Sequence, residues 1–149
     1  MNRRNMLLRA AGAIGALLAA FGAKAGTETP AAGKLKVVYH LNDLDKVQFV
    51  LGNIQNHFDG VGGPENVTLA LVVHGAALRA FHAAGVNPDV GKRVGQFANA
   101  GMEIAACGNT LKSQNVTLKE LLPGFVVADK GGVVRIAELQ SQGYLYLRP

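Results

Sequence analysis

The sequence predicts an α/β fold, in the form of a three-layer α/β/α sandwich around a five-stranded, mainly parallel sheet. Strand and helix patterns alternate five times from residue 35 onward, which is typical of a parallel sheet with helices on both faces. The run VTLALVV at residues 67–73 is too apolar for a half-exposed strand. We expect a flavodoxin-like strand order of 2-1-3-4-5, with ligands bound beyond the carboxyl ends of the strands.

Each element has its own sequence signal. Short runs rich in β-branched and apolar residues predict strands at 35–41, 67–73, 104–107, 125–128 and 144–147. Apolar residues spaced by threes and fours, with Gly and Pro as stops, predict helices at 44–58, 76–84, 90–100, 109–113, 117–120 and 131–142. Asn42 and Asp43 are a good helix opening, and Thr117 and Glu120 have the spacing of a capping box.

Residues 1–25 have the three parts of an export signal, and the alternative is an uncleaved anchor. Arg3 and Arg4 precede a small, apolar stretch that ends in the A-x-A pattern at Ala25, where we expect cleavage. The arginine pair resembles a twin-arginine signal. We therefore predict a periplasmic protein with no membrane segment after signal removal, a flexible leader at 26–33 and a single domain at 34–149.

The positive charge is concentrated in the signal. The formal net charge is +5, but no acidic residue precedes residue 26, so the remainder has 11 Lys plus Arg against 10 Asp plus Glu. The mature part has no basic run and no lysines interleaved with aromatic residues. We therefore expect no nucleic-acid partner.

Cys107 is the only cysteine, so an internal disulfide and a dithiol cycle are both excluded. It ends a short apolar strand and precedes a predicted helical turn, in which Asn109 and Thr110 can accept hydrogen bonds from free backbone N–H groups. A helix N-terminus beside a thiol favours its ionisation. This interpretation requires a sulfur that is open at the rim of the sheet. The alternative is a buried cysteine that only fills space.

Polar residues at the ends of the first three strands are expected to form one candidate site at the carboxyl edge. These residues are His40, Asn42, His74, Gly75, Cys107, Gly108 and Asn109. Either His40 or His74 would orient or deprotonate the thiol, and Gly108 and Asn109 would present N–H groups to a bound ligand. The simplest interpretation of Asn42 is the cap of the first helix. Copper or zinc held by Cys107, His40 and His74 is an alternative, but their spacing does not pair the ligands.

Several short motifs, taken in order, resemble the DsrE/DsrF-like family over residues 34–149. They are KVVYHLN from Lys36, VVHG from Val72, ACGNTL from Ala106, LPG from Leu122 and QGYLYLRP from Gln142. The resemblance implies an α/β sandwich that often forms homo-oligomers and a role in sulfur handling. In the relay members a cysteine after the third strand carries sulfur as a persulfide, and Cys107 is at the matching place. Those members are cytoplasmic, whereas this chain has an export signal.

We therefore predict an exported sulfur carrier or sulfurtransferase-like protein that acts through Cys107. No resident cofactor is expected, and a persulfide sulfur would be the group carried. The alternative is a non-enzymatic module that binds a small ligand or metal, or that serves oligomeric assembly.

Overall fold

The computed structural model describes residues 33–149. The predicted export signal at 1–25 and residues 26–32 of the predicted leader lie outside the described residues. The strands are β1 (Leu35–Leu41), β2 (Val67–Val73), β3 (Glu103–Cys107), β4 (Phe125–Ala128) and β5 (Leu145–Leu147). The α-helices are α1 (Val47–Gly60), α2 (Pro88–Asn99), α3 (Gly108–Gln114) and α4 (Gly132–Ser141). Short 3₁₀ helices cover Leu44–Lys46, Pro64–Asn66, Gly75–Phe81 and Leu118–Glu120.

All five strands form one parallel sheet, in the order β4-β3-β2-β1-β5. The predicted α/β sandwich is confirmed, but the predicted order 2-1-3-4-5 is wrong. That order would leave β2 at an edge of the sheet, where its continuous apolar run would face solvent. In the structure β2 is instead the central strand and six of its seven residues are buried. The order of the strands therefore reverses between β1 and β5, and not between β1 and β3.

The distribution of helices follows from this strand order. The connections from β1 to β2, β2 to β3 and β3 to β4 all lead to the next strand on the same side. Because crossovers are right-handed, the helices in these connections lie on one face of the sheet. The step from β4 to β5 moves back across the sheet, so α4 covers the opposite face. The core is divided accordingly. The smaller apolar cluster, on the α4 face, contains Val38, Ala70, Val72, Ala105, Ala128, Ile136 and Leu139.

Most predicted elements are found with small changes at their ends. The capping box is confirmed, because the Glu120 carboxylate accepts hydrogen bonds from the backbone N–H and the hydroxyl of Thr117 at 2.9 and 2.8 Å. The predicted helix at 76–84 is instead a 3₁₀ helix over Gly75–Phe81. It ends there because His82 forms a β-bridge with Leu121. No helix within residues 33–149 combines the length and apolar character that crossing a membrane requires.

Candidate functional site

The strand register brings three predicted site residues to the same face of the sheet. Val72 pairs with Ala105 and Val73 with Ala106, so His74 and Cys107 occupy the next positions on neighbouring strands. His40 pairs with Val72. Because side chains alternate between the faces of a strand, His40, His74 and Cys107 all project toward the α4 face at the carboxyl edge.

Cys107 is buried, with 6% of its surface exposed, and the expectation of an open sulfur at the rim is therefore wrong. It is the last residue of β3 and the N-cap of α3. The helix begins at Gly108, earlier than predicted, so the thiol lies beside the first N–H groups of the helix. Its surroundings also differ from a hydrocarbon core, because a hydroxyl and backbone N–H groups act on the pKa of its thiol.

These partners set the ionisation of the thiol. Burial raises the pKa of Cys107, as expected for a charged form removed from water. Hydrogen bonds from the Thr110 hydroxyl and from the backbone N–H groups of Gly132, Thr110 and Asn109 lower the pKa, and together they outweigh burial. The net pKa lies below its ordinary value. The predicted easier ionisation is therefore supported, but neither predicted histidine is among the thiol's partners.

Three glycines allow the chain to close around the sulfur. A Cβ atom at Gly132 would lie 3.2 Å from the Cβ of Cys107, and one at Gly108 would lie 3.0 Å from the carbonyl oxygen of Ala128. Gly131, the N-cap of α4, has a φ of 104° and lies against the Asn109 side chain. Close backbone approach at these positions requires glycine. Gly108 was predicted as a site residue, whereas the Gly131-Gly132 pair was missed, although two glycines at a strand-to-helix junction were a readable signal.

Thr110 connects the thiol to Gly75. Its hydroxyl oxygen accepts a hydrogen bond from the Gly75 N–H at 3.0 Å, and the same hydroxyl lowers the pKa of Cys107. The Gly75 carbonyl in turn accepts from the Gln114 amide at 2.8 Å. The structure therefore assigns Gly75 a supporting role behind Thr110. Thr110 was not among the predicted site residues. It is the third residue of α3, however, and residues in the first turn of a helix lie close to the N-cap residue, which here is Cys107.

His40 and His74 contact each other and not the thiol. Their Nε2 atoms are 2.5 Å apart, and the rings meet edge to edge, with 23° between their planes and 4.7 Å between their centroids. The other ring nitrogen of His40, Nδ1, lies 2.6 Å from the hydroxyl of Tyr146. Burial lowers the pKa of both histidines, and the positive charge of Arg148 lowers them further, against the opposing effect of Asp43. Both imidazoles are therefore favoured in the neutral form.

Asn42 does not cap the first helix. Asp43 is the N-cap residue of the 3₁₀ helix at Leu44–Lys46, and it forms no side-chain cap hydrogen bond. The Asn42 side chain instead accepts a hydrogen bond from the Arg148 guanidinium at 2.9 Å, and Arg148 also lies 3.4 Å from the Asp43 carboxylate. This contact ties the end of the chain to the end of β1. Arg148 and Tyr146 were not predicted, because they are 106 residues from their partners and no local pattern joins them.

The copper or zinc alternative lacks a ligand set in this geometry. Across the described part of the chain, no three side chains of His, Cys, Asp or Glu are grouped so that they could hold a metal ion. The Nε2 atoms of His40 and His74 face each other, and the sulfur of Cys107 has its own donors. The three predicted ligands therefore lie on one face without converging on one point.

Two open clefts flank the segment between β4 and α4. One, of about 430 Å³, is lined by Ala105, Arg135 and Gly131 among others, and the second, of about 340 Å³, by Gly108 and Lys112. Asp129 borders both clefts. Cys107 lines neither of them.

Comparisons with known proteins identify the fold. No protein-family model matches the chain, and no curated protein matches it either. A structure of MTH1491 from Methanobacterium thermoautotrophicum, a protein of unknown function, is similar with a TM-score of 0.67 and 24% identity, over 77% of this chain and 99% of that chain. The ychN protein from E. coli gives a TM-score of 0.58 and 13% identity, over 77% and 99% of the two chains.

A conserved protein of unknown function, BT1422 from Bacteroides thetaiotaomicron, is also similar, with a TM-score of 0.55 and 17% identity, over 76% of this chain and 95% of that chain. All three identities are 24% or lower. The comparisons therefore establish an α/β fold shared with these structures.

Proposed function

We propose that this chain is an exported DsrE-like protein that carries sulfane sulfur on Cys107 as a persulfide. The observation that carries this proposal is the position of Cys107 at the starts of two helices, because it is the N-cap of α3 and Gly132 at the start of α4 packs against it. The polar groups there lower the pKa of the thiol. A cysteine that only fills space has no need of donors that stabilise its anion. A thiolate, by contrast, is the form that attacks sulfur.

The transfer step uses a polysulfide or a persulfide as the donor. The Cys107 thiolate attacks the terminal sulfur of the donor, a new S–S bond forms at Sγ, and the S–S bond inside the donor breaks. The electron pair leaves with the shortened donor as a thiolate or a shorter polysulfide anion. Passing the sulfur on reverses this exchange with an acceptor thiolate, and the thiolate of Cys107 returns to its N–H donors.

Burial restricts the donor that can reach the site. Only 6% of the Cys107 surface is exposed, and Gly132 closes over it. A small anion such as an inorganic polysulfide is therefore a more suitable donor than a folded protein. We also propose that the protein acts in the periplasm, an inference supported by the signal pattern of residues 1–25.

The proposal is tested by incubating the mature protein with sodium polysulfide and measuring its intact mass. We expect an added mass of one or more sulfur atoms that dithiothreitol removes. Because Cys107 is the only cysteine, the Cys107→Ser variant is an unambiguous control and should gain nothing. An unchanged mass in the wild-type protein, or equal gain in the variant, would contradict a carrier function.

A second candidate function is assembly of identical chains, which a surface near β5 favours. Leu145 and Leu147 are 55% and 40% exposed on this edge strand, and Phe49 of α1 is 55% exposed. Phe49 and Leu147 border an open groove of about 660 Å³. Analytical ultracentrifugation of the wild-type protein and of a Leu145→Glu variant tests this role. We expect an oligomer that the charge disrupts, and a monomeric wild type would remove the second candidate.

A further inference from the structure

The imidazoles of His40 and His74 are not among the groups that lower the pKa of the Cys107 thiol. The hydroxyl of Tyr146, His40 Nδ1, His40 Nε2 and His74 Nε2 form a continuous chain of contacts of 2.6 and 2.5 Å. Tyr146 is 41% exposed and stands at the outer end. The inner end of the chain is the remaining ring nitrogen, Nδ1 of His74.

This nitrogen is open to a visiting group. His74 Nδ1 has no hydrogen-bond partner within residues 33–149, where no buried side-chain nitrogen or oxygen is left without one. An unpartnered nitrogen in this part of the chain must therefore be accessible to solvent or to a ligand.

The open nitrogen belongs to the residue beside Cys107. The two residues occupy neighbouring positions on adjacent parallel strands and project to the same face. Gly132 lies over both, since a Cβ atom there would be 3.2 Å from the Cβ of Cys107 and 3.4 Å from that of His74. Gly132 therefore packs closely on both residues, and a side chain at this position would crowd them.

The tautomers of the two histidines depend on whether the phenol of Tyr146 donates or accepts. Burial and nearby positive charge lower the pKa of both histidines, so each ring carries one N–H at neutral pH. If the phenol of Tyr146 donates to His40 Nδ1, then His40 holds its proton on Nε2 and donates to His74 Nε2. His74 must then carry its own proton on Nδ1, as a donor.

We propose that the Nδ1–H of His74 donates a hydrogen bond to the outer sulfur of a persulfide on Cys107, and that His40 and Tyr146 are positioning residues that fix the tautomer. This inference rests on the proposed carrier function. A persulfide places its negative charge one S–S bond, about 2 Å, beyond the inner sulfur. The charge thereby moves away from the donors that hold the thiolate, and the adjacent imidazole supplies a donor farther out.

The experiment compares two substitutions of His74, each of which keeps a nitrogen at one of the two ring-nitrogen positions. In His74→Asn the amide nitrogen can occupy the place of Nδ1, whereas in His74→Gln it can occupy the place of Nε2. Mature proteins are equilibrated with the same concentration of sodium polysulfide, and the persulfidated fraction is measured by intact mass. We expect the ratio of persulfide to thiol to fall about tenfold in His74→Gln, as for loss of a hydrogen bond to a charged group, and at most about threefold in His74→Asn.

Two further measurements make the result decisive. Tyr146→Phe should lower the ratio by an intermediate amount, and His57→Gln, on the far face of the sheet, serves as the matched histidine control. The thiol pKa, from the pH dependence of alkylation, should not rise in His74→Gln, and circular dichroism reports folding. A wild type without persulfide refutes the carrier function and this inference with it. A wild type with persulfide whose ratio His74→Gln leaves unchanged, or lowers less than His74→Asn does, refutes this inference alone.

Discussion

The thiol of Cys107 and the imidazole pair of His40 and His74 lie at the same edge of the sheet, and burial moves their pKa values in opposite directions. Burial alone would keep the thiol neutral, but donors from Thr110 and the backbone outweigh it and favour the anion. Burial also favours neutral imidazoles, and here the nearest cation reinforces it. The net pKa is lowered in both regions, which favours the anion of the thiol and the neutral form of the imidazoles. Neighbouring groups outweigh burial at the thiol, whereas burial is the largest cause at the imidazoles.

We expect the largest effect from a side chain placed between Cys107 and His74. Gly132→Ala introduces a Cβ atom within 3.4 Å of Cys107, Val72 and His74. We expect a loss of about 1 to 3 kcal/mol in the free energy of unfolding, as for other overpacked sites. Chemical denaturation measures this loss. Gly95→Ala in α2 is the matched control, because nothing lies within 4 Å of its Cβ position. It should stabilise the helix by up to about 1 kcal/mol.

The thiol region is tested alone by Thr110→Val. This change removes the hydroxyl that bonds Cys107 and leaves the Gly75 N–H without its acceptor. The pKa of Cys107 should rise, and the alkylation rate at neutral pH should fall by about tenfold, as for loss of a hydrogen bond to a charged group. Thr110→Ser keeps the hydroxyl and should preserve the rate. Equal rates in all three proteins would show that the backbone donors suffice.

The lowered pKa values of His40 and His74 predict that the stability of the protein depends on pH. The pKa of both histidines is lower in the folded chain, so the unfolded chain binds more protons as the pH falls below about 6.5, the ordinary imidazole value. Stability should therefore decrease below that pH. Thermal unfolding between pH 5 and pH 7.5, an interval chosen around that value, should show a shallower slope in the His40→Gln/His74→Gln double variant. An identical slope would place the acid sensitivity elsewhere.

The smallest effect concerns the cation beside the imidazoles. Arg148→Gln removes a positive charge that lowers the pKa of His40 and His74. Both values should rise slightly, because the Arg148 side chain is 49% exposed and water screens its field. Proton NMR titration of the histidine ring resonances measures the change. Lys92→Gln, on α2, is the control with the same loss of charge and should leave both values where they were.

The sequence by itself determined the elements and the edge at which the site lies. A strand can be recognised from residues within a few positions of one another. The predicted limits of β1, β2 and β4 therefore match the structure. A parallel sheet then brings the strand-end residues His40, His74 and Cys107 to one edge whatever the strand order. The export signal and the sulfur chemistry remain predictions from the sequence.

Tertiary structure alone decided the order of the strands and the surroundings of each polar group. Local pattern does not state which strand pairs with which, although the uninterrupted apolar run of β2 favoured a central place. The crossover that brings α4 over the sheet packs Gly132 against Cys107. The last strand brings Tyr146 to His40 and Arg148 to Asn42, more than a hundred positions earlier in the chain. Such contacts depend on packing between distant segments, and so do the burial and the neighbouring groups that shift the pKa of Cys107 and of the two histidines.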